Sequence, residues 1–302
     1  MQGVISKIKN LVKIRSHIES LHQKSLYDHR VSMLNHALLN DQSMGTSEEK
    51  YCDVDFIVSL TTYSKRLYDV YLTIESIMQQ SRKANRIILW LENELESKNL
   101  PMALKSQQKR GLEIYYCTDI KSYKKLIPSL KLFPDNPIIT IDDDVIYDVD
   151  MIDKLILGYL DNPKYIYYNR GHKMKLLKPN LLDRYLNWSW CSKSLDSSLM
   201  NFPTGVGGVL YPPNCFDDEV FNQDVFLDIC KTADDVWFKA MSILRGTQAK
   251  KVYTRNPNGE EYLENYQVQD IGLNNLNNTE NQNDIQIKKV FDKYNLYQTL
   301  ID

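Results

Sequence analysis

The sequence predicts an α/β protein: a Rossmann-type, mostly parallel sheet with flanking helices, preceded by an N-terminal helical extension. Three observations predict it. Between Asp53 and Asp150, short apolar runs alternate with stretches of helical period. The runs are nearly continuous in Ile, Val and Leu, as strands covered on both faces require. Ahead of them, residues 1–40 repeat apolar side chains at helical spacing.

In the extension, Val4, Ile5, Ile8, Leu11, Val12, Ile14, Ile18 and Leu21 recur with helical period. Lys7, Lys9, Lys13, Arg15, Lys24 and Arg30 outnumber Glu19 and Asp28, so the segment is basic. Residues 1–31 therefore fit either an amphipathic helix resting on an anionic membrane face or a helix packed on protein. Asp41 to Lys50 is polar and reads as a linker.

The first buried strand is predicted over 54–60, followed by a helix over 65–80. A second strand runs over 86–91, a helix over 99–109 and a third strand over 112–116. The stretch 123–133 has helical character with an irregularity at Pro128. The fourth strand, Pro137 to Ile141, runs directly into Asp142-Asp143-Asp144. In such sheets ligands bind beyond the carboxyl ends of the strands, so the acidic run marks the expected site. Beyond Asp150 the pattern loosens. It predicts a helix over 151–160, a strand over 165–169, a glycine-rich turn and short strand over 205–213, and a helix over 235–244. Residues 272–283 read as loop and 285–294 as a final helix.

Composition narrows the function classes. The chain has 302 residues, 37 basic and 39 acidic side chains and a net charge of -2, so no global attraction to nucleic acid is expected. Five cysteines at 52, 117, 191, 215 and 230 have no CxxC spacing. They fit reduced thiols in a cytoplasmic protein better than a disulfide framework or a zinc site. Asn187-Trp188-Ser189 and Asn277-Asn278-Thr279 match a glycosylation sequon, a pattern common by chance. No apolar run approaches the roughly 20 residues that span a bilayer. Twenty tyrosines suit sugar binding, and equally suit a composition rich in Lys, Asn, Tyr and Ile.

Three adjacent carboxylates repel one another unless a cation is present. Mn2+ or Mg2+ would resolve the repulsion, because hard cations prefer carboxylate oxygens. Alternation along an extended segment puts Asp142 and Asp144 on one side and Asp143 on the other. A solvated acidic turn is the competing interpretation. Asp234 and Asp235 open a helix, where carboxylates also serve as caps.

The segment Ile139-Thr140-Ile141-Asp142-Asp143-Asp144-Val145-Ile146-Tyr147 resembles the DxD segment of GT-A glycosyltransferases, most nearly bacterial enzymes that assemble surface polysaccharides. The resemblance extends to Ser59-Leu60-Thr61-Thr62-Tyr63 with Arg66, and to Tyr123-Lys124-Lys125-Leu126-Ile127-Pro128. It includes Thr204 to Pro213 and Thr232-Ala233-Asp234-Asp235-Val236-Trp237, covering roughly 53–245 in order. It implies a GT-A domain over 53–302, with a nucleotide-sugar half to residue 150 and an acceptor half after it. It also implies a metal on Asp144 and Asp142, with Asp142 and Asp143 facing the donor, a UDP-sugar. Thr61, Tyr63 and Arg66 would hold the nucleoside, and Lys124 or Lys125 the phosphates. Gly207 and Gly208 would let backbone approach the ligand. Asp234 or Asp235 would deprotonate the hydroxyl of an oligosaccharide or lipid-linked glycan acceptor. No His follows the Asp234-Asp235 helix, which favours an inverting mechanism. His172 either substitutes as a metal ligand, lines the acceptor side or lies on the surface. A nucleotidyltransferase would normally carry a glycine-rich phosphate loop, and 59–63 has no glycine. An inactive nucleotide- or carbohydrate-binding module is the non-enzymatic alternative.

Overall fold

The computed structural model describes residues 2–179, 181–266 and 281–300, and for residues 2–12 and Ser16 the backbone alone. In chain order the elements are α1 (Gln2–Asn40), β1 (Ile57–Thr61), α2 (Val70–Met78), β2 (Arg86–Glu92), α3 (Met102–Gln108), β3 (Leu112–Cys117), α4 (Ile127–Leu132) and β4 (Ile138–Thr140). Next come β5 (Val145–Tyr147), α5 (Met151–Asp161), β6 (Ile166–Tyr168), β7 (Gly171–Lys173), β8 (Leu176–Lys178), β9 (Leu181–Leu182), β10 (Asn201–Pro203) and β11 (Val209–Tyr211). The chain continues with α6 (Gln223–Ile229), α7 (Asp234–Arg245), β12 (Ala249–Lys251), β13 (Tyr262–Glu264), α8 (Gln282–Tyr294) and α9 (Leu296–Thr299).

Among the described residues the central sheet has seven strands in the order β12-β6-β11-β4-β1-β2-β3. β4, β1, β2 and β3 are parallel, as are β12 and β6, while β11 runs antiparallel to both of its neighbours. This is the expected mixed α/β sheet with flanking helices. Alternation along each strand divides the core. Ile138, Tyr168 and Val209 face the side of α7 and α8, whereas Ile139, Tyr167 and Leu210 face the side of α2 and α5. Each such apolar side chain contributes roughly 1.5–3 kcal/mol by leaving water. Pro128 falls in the first turn of α4, where its missing N–H costs no helical bond. The loop expected over 272–283 lies mostly outside the described residues, and its last residues already belong to α8.

Residues 41–50 have no regular structure, but they are not a free linker. Gly45 N–H donates to Arg110 O at 2.8 Å and Ser47 N–H to Ala84 O at 3.0 Å. Arg110 in turn donates to both oxygens of the fully buried Glu75 at 2.9 and 3.0 Å and to Ser43 O at 2.9 Å. That buried pair fastens the segment after α1 to α2. The carboxyl half of α1 packs on the body through Tyr27 and Leu34. From Lys13 to Leu26 its described side chains are exposed, including Ile14, Ile18 and Leu21. Among the described residues no helix is long and apolar enough to cross a membrane. All five cysteines are free.

One core feature opposes folding. Lys239 of α7 is buried and its Nζ has no hydrogen-bond partner among the described residues. Burial lowers its pKa to about 7, well below the ordinary value. The charged form is therefore better tolerated in the unfolded chain. The resulting destabilisation is fully present below pH 7 and fades as pH rises toward the ordinary lysine value. Lys239→Met is expected to raise stability at neutral pH by about 2 kcal/mol. Urea unfolding at a series of pH values checks this: the gain should shrink steadily above pH 7.

Candidate active site

The sheet order brings the predicted residues to one edge. Ser59 of β1 lies beside Thr140 of β4 in parallel register. Three residues further on, Thr62 therefore meets Asp143, and its hydroxyl donates to Asp143 Oδ2 at 2.6 Å. β11 runs the opposite way, with Val209 beside Thr140, so the chain entering it passes the same end of β4. That places Thr204 and Gly205 next to the acidic run. The first turn of α7 closes the group with Asp234 and Asp235.

These elements wall a cavity of about 830 Å³, lined by residues that include Thr61, Tyr63, Arg66, Lys124, Lys125, Asp142, Asp143, Asp144, Asp234 and Asp235. Its size is that of a cofactor or substrate pocket. Gly207 and Gly208 are not on its wall. Gly207 presses on Arg170 and Gly208, with φ +83°, on Met151. The close approach belongs to Gly205 instead. A Cβ there would stand 2.8 Å from Lys125 Nζ, 3.2 Å from Asp142 Oδ1 and 3.3 Å from Asp235 Oδ1.

Two buried cations organise the carboxylates. Arg66, packed over the Tyr63 ring at 5.5 Å, reaches Asp143 Oδ1 at 2.7 Å and Asp144 Oδ2 at 2.9 Å. Lys125 Nζ lies 2.9 Å from Asp142 Oδ1 and 3.0 Å from Asp234 Oδ2, the second out of line for a hydrogen bond. Both lysines of the pair are buried, not on a solvated helix face. Burial opposes the charge on Lys125, but Asp142, Asp234 and Asp235 hold its ammonium well above the ordinary range. Lys124 pairs with Asp119 at 2.6 Å. Thr61 turns its hydroxyl to Trp90 O at 2.8 Å.

Asp143 points inward and is nearly fully buried; Asp142 and Asp144 are more open. Burial raises Asp144 to about 6 despite Arg66, with Asp142 and Asp143 adding repulsion. Burial likewise raises Asp235 to about 7, against the pull of Lys125 and with Asp234 and Asp142 pushing the same way. Asp235 Oδ2 accepts from Gly205 N–H at 3.0 Å; Asp235 is half-buried on the cavity wall, whereas Asp234 is buried.

Whether this set suits a metal follows from its donors. Arg66 and Lys125 pair with these carboxylates, and among the described residues of the cavity wall eight Asp and Glu stand against six Lys and Arg, so acidic groups remain in excess. Among the described residues no group of three or more His, Cys, Asp or Glu side chains is arranged to hold a metal by itself. A site with two carboxylates, completed by substrate phosphates and water, is nonetheless how Mg2+-type ions are commonly held. Asp142 and Asp144 meet that description.

His172 is neither a surface residue nor placed as a ligand of this cluster. It is fully buried among Tyr185, Trp190 and Arg170, and its Nδ1 accepts from Cys191 N–H at 3.1 Å. Burial and the nearby Arg170 lower its pKa to about 3. Several wall residues escaped sequence reasoning: Asp119, Arg170, Tyr185, Trp190, Tyr262 and Glu264. Asp119 and Lys124 are five residues apart, which is not a spacing at which helical side chains meet, so their pairing had no sequence signal. The others lie on short strands and loops without period.

The chain matches no protein-family model and no curated protein sequence. Solved structures overlap it in part. A mannosyltransferase, PcManGT from Pyrobaculum calidifontis, in complex with GDP-Man and Mn2+, is 10% identical over 78% of this chain and 64% of that one, with a TM-score of 0.41. TarS 1-349 from S. aureus is 11% identical over 69% and 59%, with a TM-score of 0.42. A CMP:2-keto-3-deoxy-manno-octonic acid synthetase complexed with CTP is 11% identical over 66% and 89%, with a TM-score of 0.36. The chain thus spans under two thirds of the length of the first two. At these identities and scores the overlaps do not bear on what it binds.

Proposed function

We propose that this chain is a metal-dependent glycosyltransferase that moves a sugar from a nucleotide-sugar, a UDP-sugar by default, to a glycan acceptor. One observation carries the proposal. Asp142 and Asp144 face the same cavity as the half-buried Asp235, with Lys125 Nζ and Gly205 between them. The ordered likeness of residues 53–245 to GT-A enzymes of bacterial surface polysaccharide synthesis supports it.

In this reading Thr61, Tyr63 and Arg66 border the nucleoside, and Asp142 and Asp144 hold Mn2+ or Mg2+. The ion supplies Lewis-acid neutralisation of the leaving nucleoside diphosphate. Arg66 keeps Asp143 and Asp144 in place, and Lys125 adds a fixed positive charge beside Asp142. Asp235 takes the proton from the acceptor hydroxyl as its oxygen bonds the anomeric carbon and the bond to the diphosphate breaks. Asp235 suits this better than Asp234, because a base must reach a hydroxyl and Asp234 is buried against Lys125. A single base on the acceptor side fits inversion. The exposed stretch of α1, with Ile14, Ile18 and Leu21 beside Lys13, Arg15 and Lys24, fits peripheral contact with the inner membrane face and a lipid-linked acceptor.

Calorimetry with UDP, GDP and CMP, each with and without Mn2+, tests the donor assignment. One nucleotide should bind tightly only with the metal. Asp144→Asn should weaken that binding by about tenfold or more while circular dichroism is unchanged. Metal-independent binding of equal strength in both proteins would refute the metal assignment. Pyrophosphate release from a nucleoside triphosphate would point to a nucleotidyltransferase instead. Asp235→Asn should keep nucleotide affinity and lower nucleotide release from the sugar donor by roughly 10²–10⁴. Asp234→Asn taking the whole of that loss would exchange the two roles. Removing residues 2–23, which spares Tyr27 and Leu34, should abolish sedimentation with phosphatidylglycerol vesicles. Undiminished sedimentation would sink the membrane contact.

A further inference from the structure

The far wall of the cavity carries an aromatic platform that the transfer chemistry above does not use. Trp190 lies there, flanked by His172 at 4.4 Å and Tyr185 at 5.5 Å between ring centroids. It is 41% exposed, although its neighbours are held firmly. Ser189 and Lys173 exchange backbone hydrogen bonds at 3.0 and 3.1 Å, and Ser192 N–H donates to Gly171 O at 2.9 Å. Cys191, at φ +46°, donates its N–H to His172 Nδ1. The chain on both sides of Trp190 is therefore stitched to β7, and the indole is presented on a fixed backbone.

The histidine supplies a second, independent observation. With Nδ1 accepting, the proton of the neutral ring sits on Nε2. That atom is buried and has no hydrogen-bond partner among the described residues, and the ring lines the cavity. An unpaired buried donor is costly unless something completes it. A flat apolar face beside an uncharged N–H donor is the chemistry that recognises a sugar ring, whose C–H face stacks on indole while its oxygens accept hydrogen bonds. A phosphate would call for a charge to spare, and Arg170 beside His172 is already engaged by Glu260 at 3.7 Å and by the Thr204 hydroxyl at 2.9 Å.

Resting on the glycosyltransferase reading, we propose that Trp190 and His172 form the acceptor subsite. The occupant is a pyranose ring stacked on Trp190, and a tilt of the exposed indole off the enclosed imidazole lets one of the sugar oxygens accept from His172 Nε2–H. His172 pairs with Phe202 across β7 and β10, and Gly205, three residues beyond Phe202, donates its N–H to Asp235 Oδ2, so the platform stands on the base's side of the cavity.

The probe is a panel of methyl pyranosides. Trp90, Trp188 and Trp237 are at most 5% exposed, so acrylamide quenching of intrinsic fluorescence reports Trp190 almost alone. At least one glycoside should protect it saturably at millimolar concentration. Saturation-transfer NMR on the same glycoside should show about tenfold weaker binding to Trp190→Ala and His172→Phe, and a milder loss with Trp190→Phe. UDP, GDP and CMP with Mn2+ are titrated into the same samples. Nucleotide binding without protection by any glycoside up to about 100 mM would overturn the subsite and leave the transferase reading standing. Glycoside binding unaffected by all three substitutions would overturn it too. Glycoside binding sensitive to them, with no nucleotide bound, would uphold the subsite and sink the transferase.

Discussion

The site depends on a guanidinium out of water. Arg66 holds Asp143 and Asp144 together where neither could stay charged alone, because burial by itself drives both carboxyls toward their neutral form. The arrangement is a trade of large opposing terms. Removing one partner of such a pair leaves an uncompensated buried charge, which is far more damaging than never having built the pair. Thr62 fixes Asp143 from a third direction, and Thr73 donates to the carbonyls of Asp143 and Val145 at 3.1 and 2.7 Å. The acidic turn is thus clamped through side chain and main chain alike. Lys125 repeats the device between β4 and α7.

Topology makes those clamps possible. Parallel β1 and β4 send Thr62 and Asp143 off the same edge in register. An all-parallel sheet would bring the next strand in from the opposite end, with its own connection crossing a face. Because β11 is antiparallel, its incoming loop lies directly over the carboxylates, and a residue without a side chain fits there. A Cβ at Gly205 would collide with Lys125. The glycine-rich stretch thus has one glycine set by the ion cluster and two set by packing and backbone conformation.

Much of the sheet was legible because β1, β2 and β4 are buried on both faces and read as nearly continuous apolar runs, while the half-buried edge strand β3 keeps Leu112, Ile114 and two tyrosines. The position of the acidic run followed from the same fact. What escaped has a common cause. β5, β7, β10 and β13 are only three residues long, too short to show a period of two. Their side chains supply much of the cavity's far wall, including Tyr262 and Glu264, and Trp190 sits on the loop beside β7. The mutual approach of Lys125, Asp142 and Asp234 joins residues about 17 and 109 apart, which only a folded sheet can reveal. Gly207 and Gly208 drew notice for their conspicuous spelling, and Gly205 did not.

One contact of α1 reaches further than its place in the chain suggests. Tyr27 donates to Asn265 Oδ1 at 2.7 Å, and Asn265 N–H donates to Asp144 O at 2.8 Å. Asn265 directly follows β13, which pairs with β5 just beyond the acidic turn. The carboxyl half of α1, from Tyr27 on, is accordingly a buttress, not an appendage. A chain trimmed past Tyr27 would lose a donor to a buried amide oxygen, at a cost of about 1–3 kcal/mol, and with it a brace behind Asp144. Any shortening for crystallisation or expression that stops after Tyr27 would thereby alter the carboxylate turn itself.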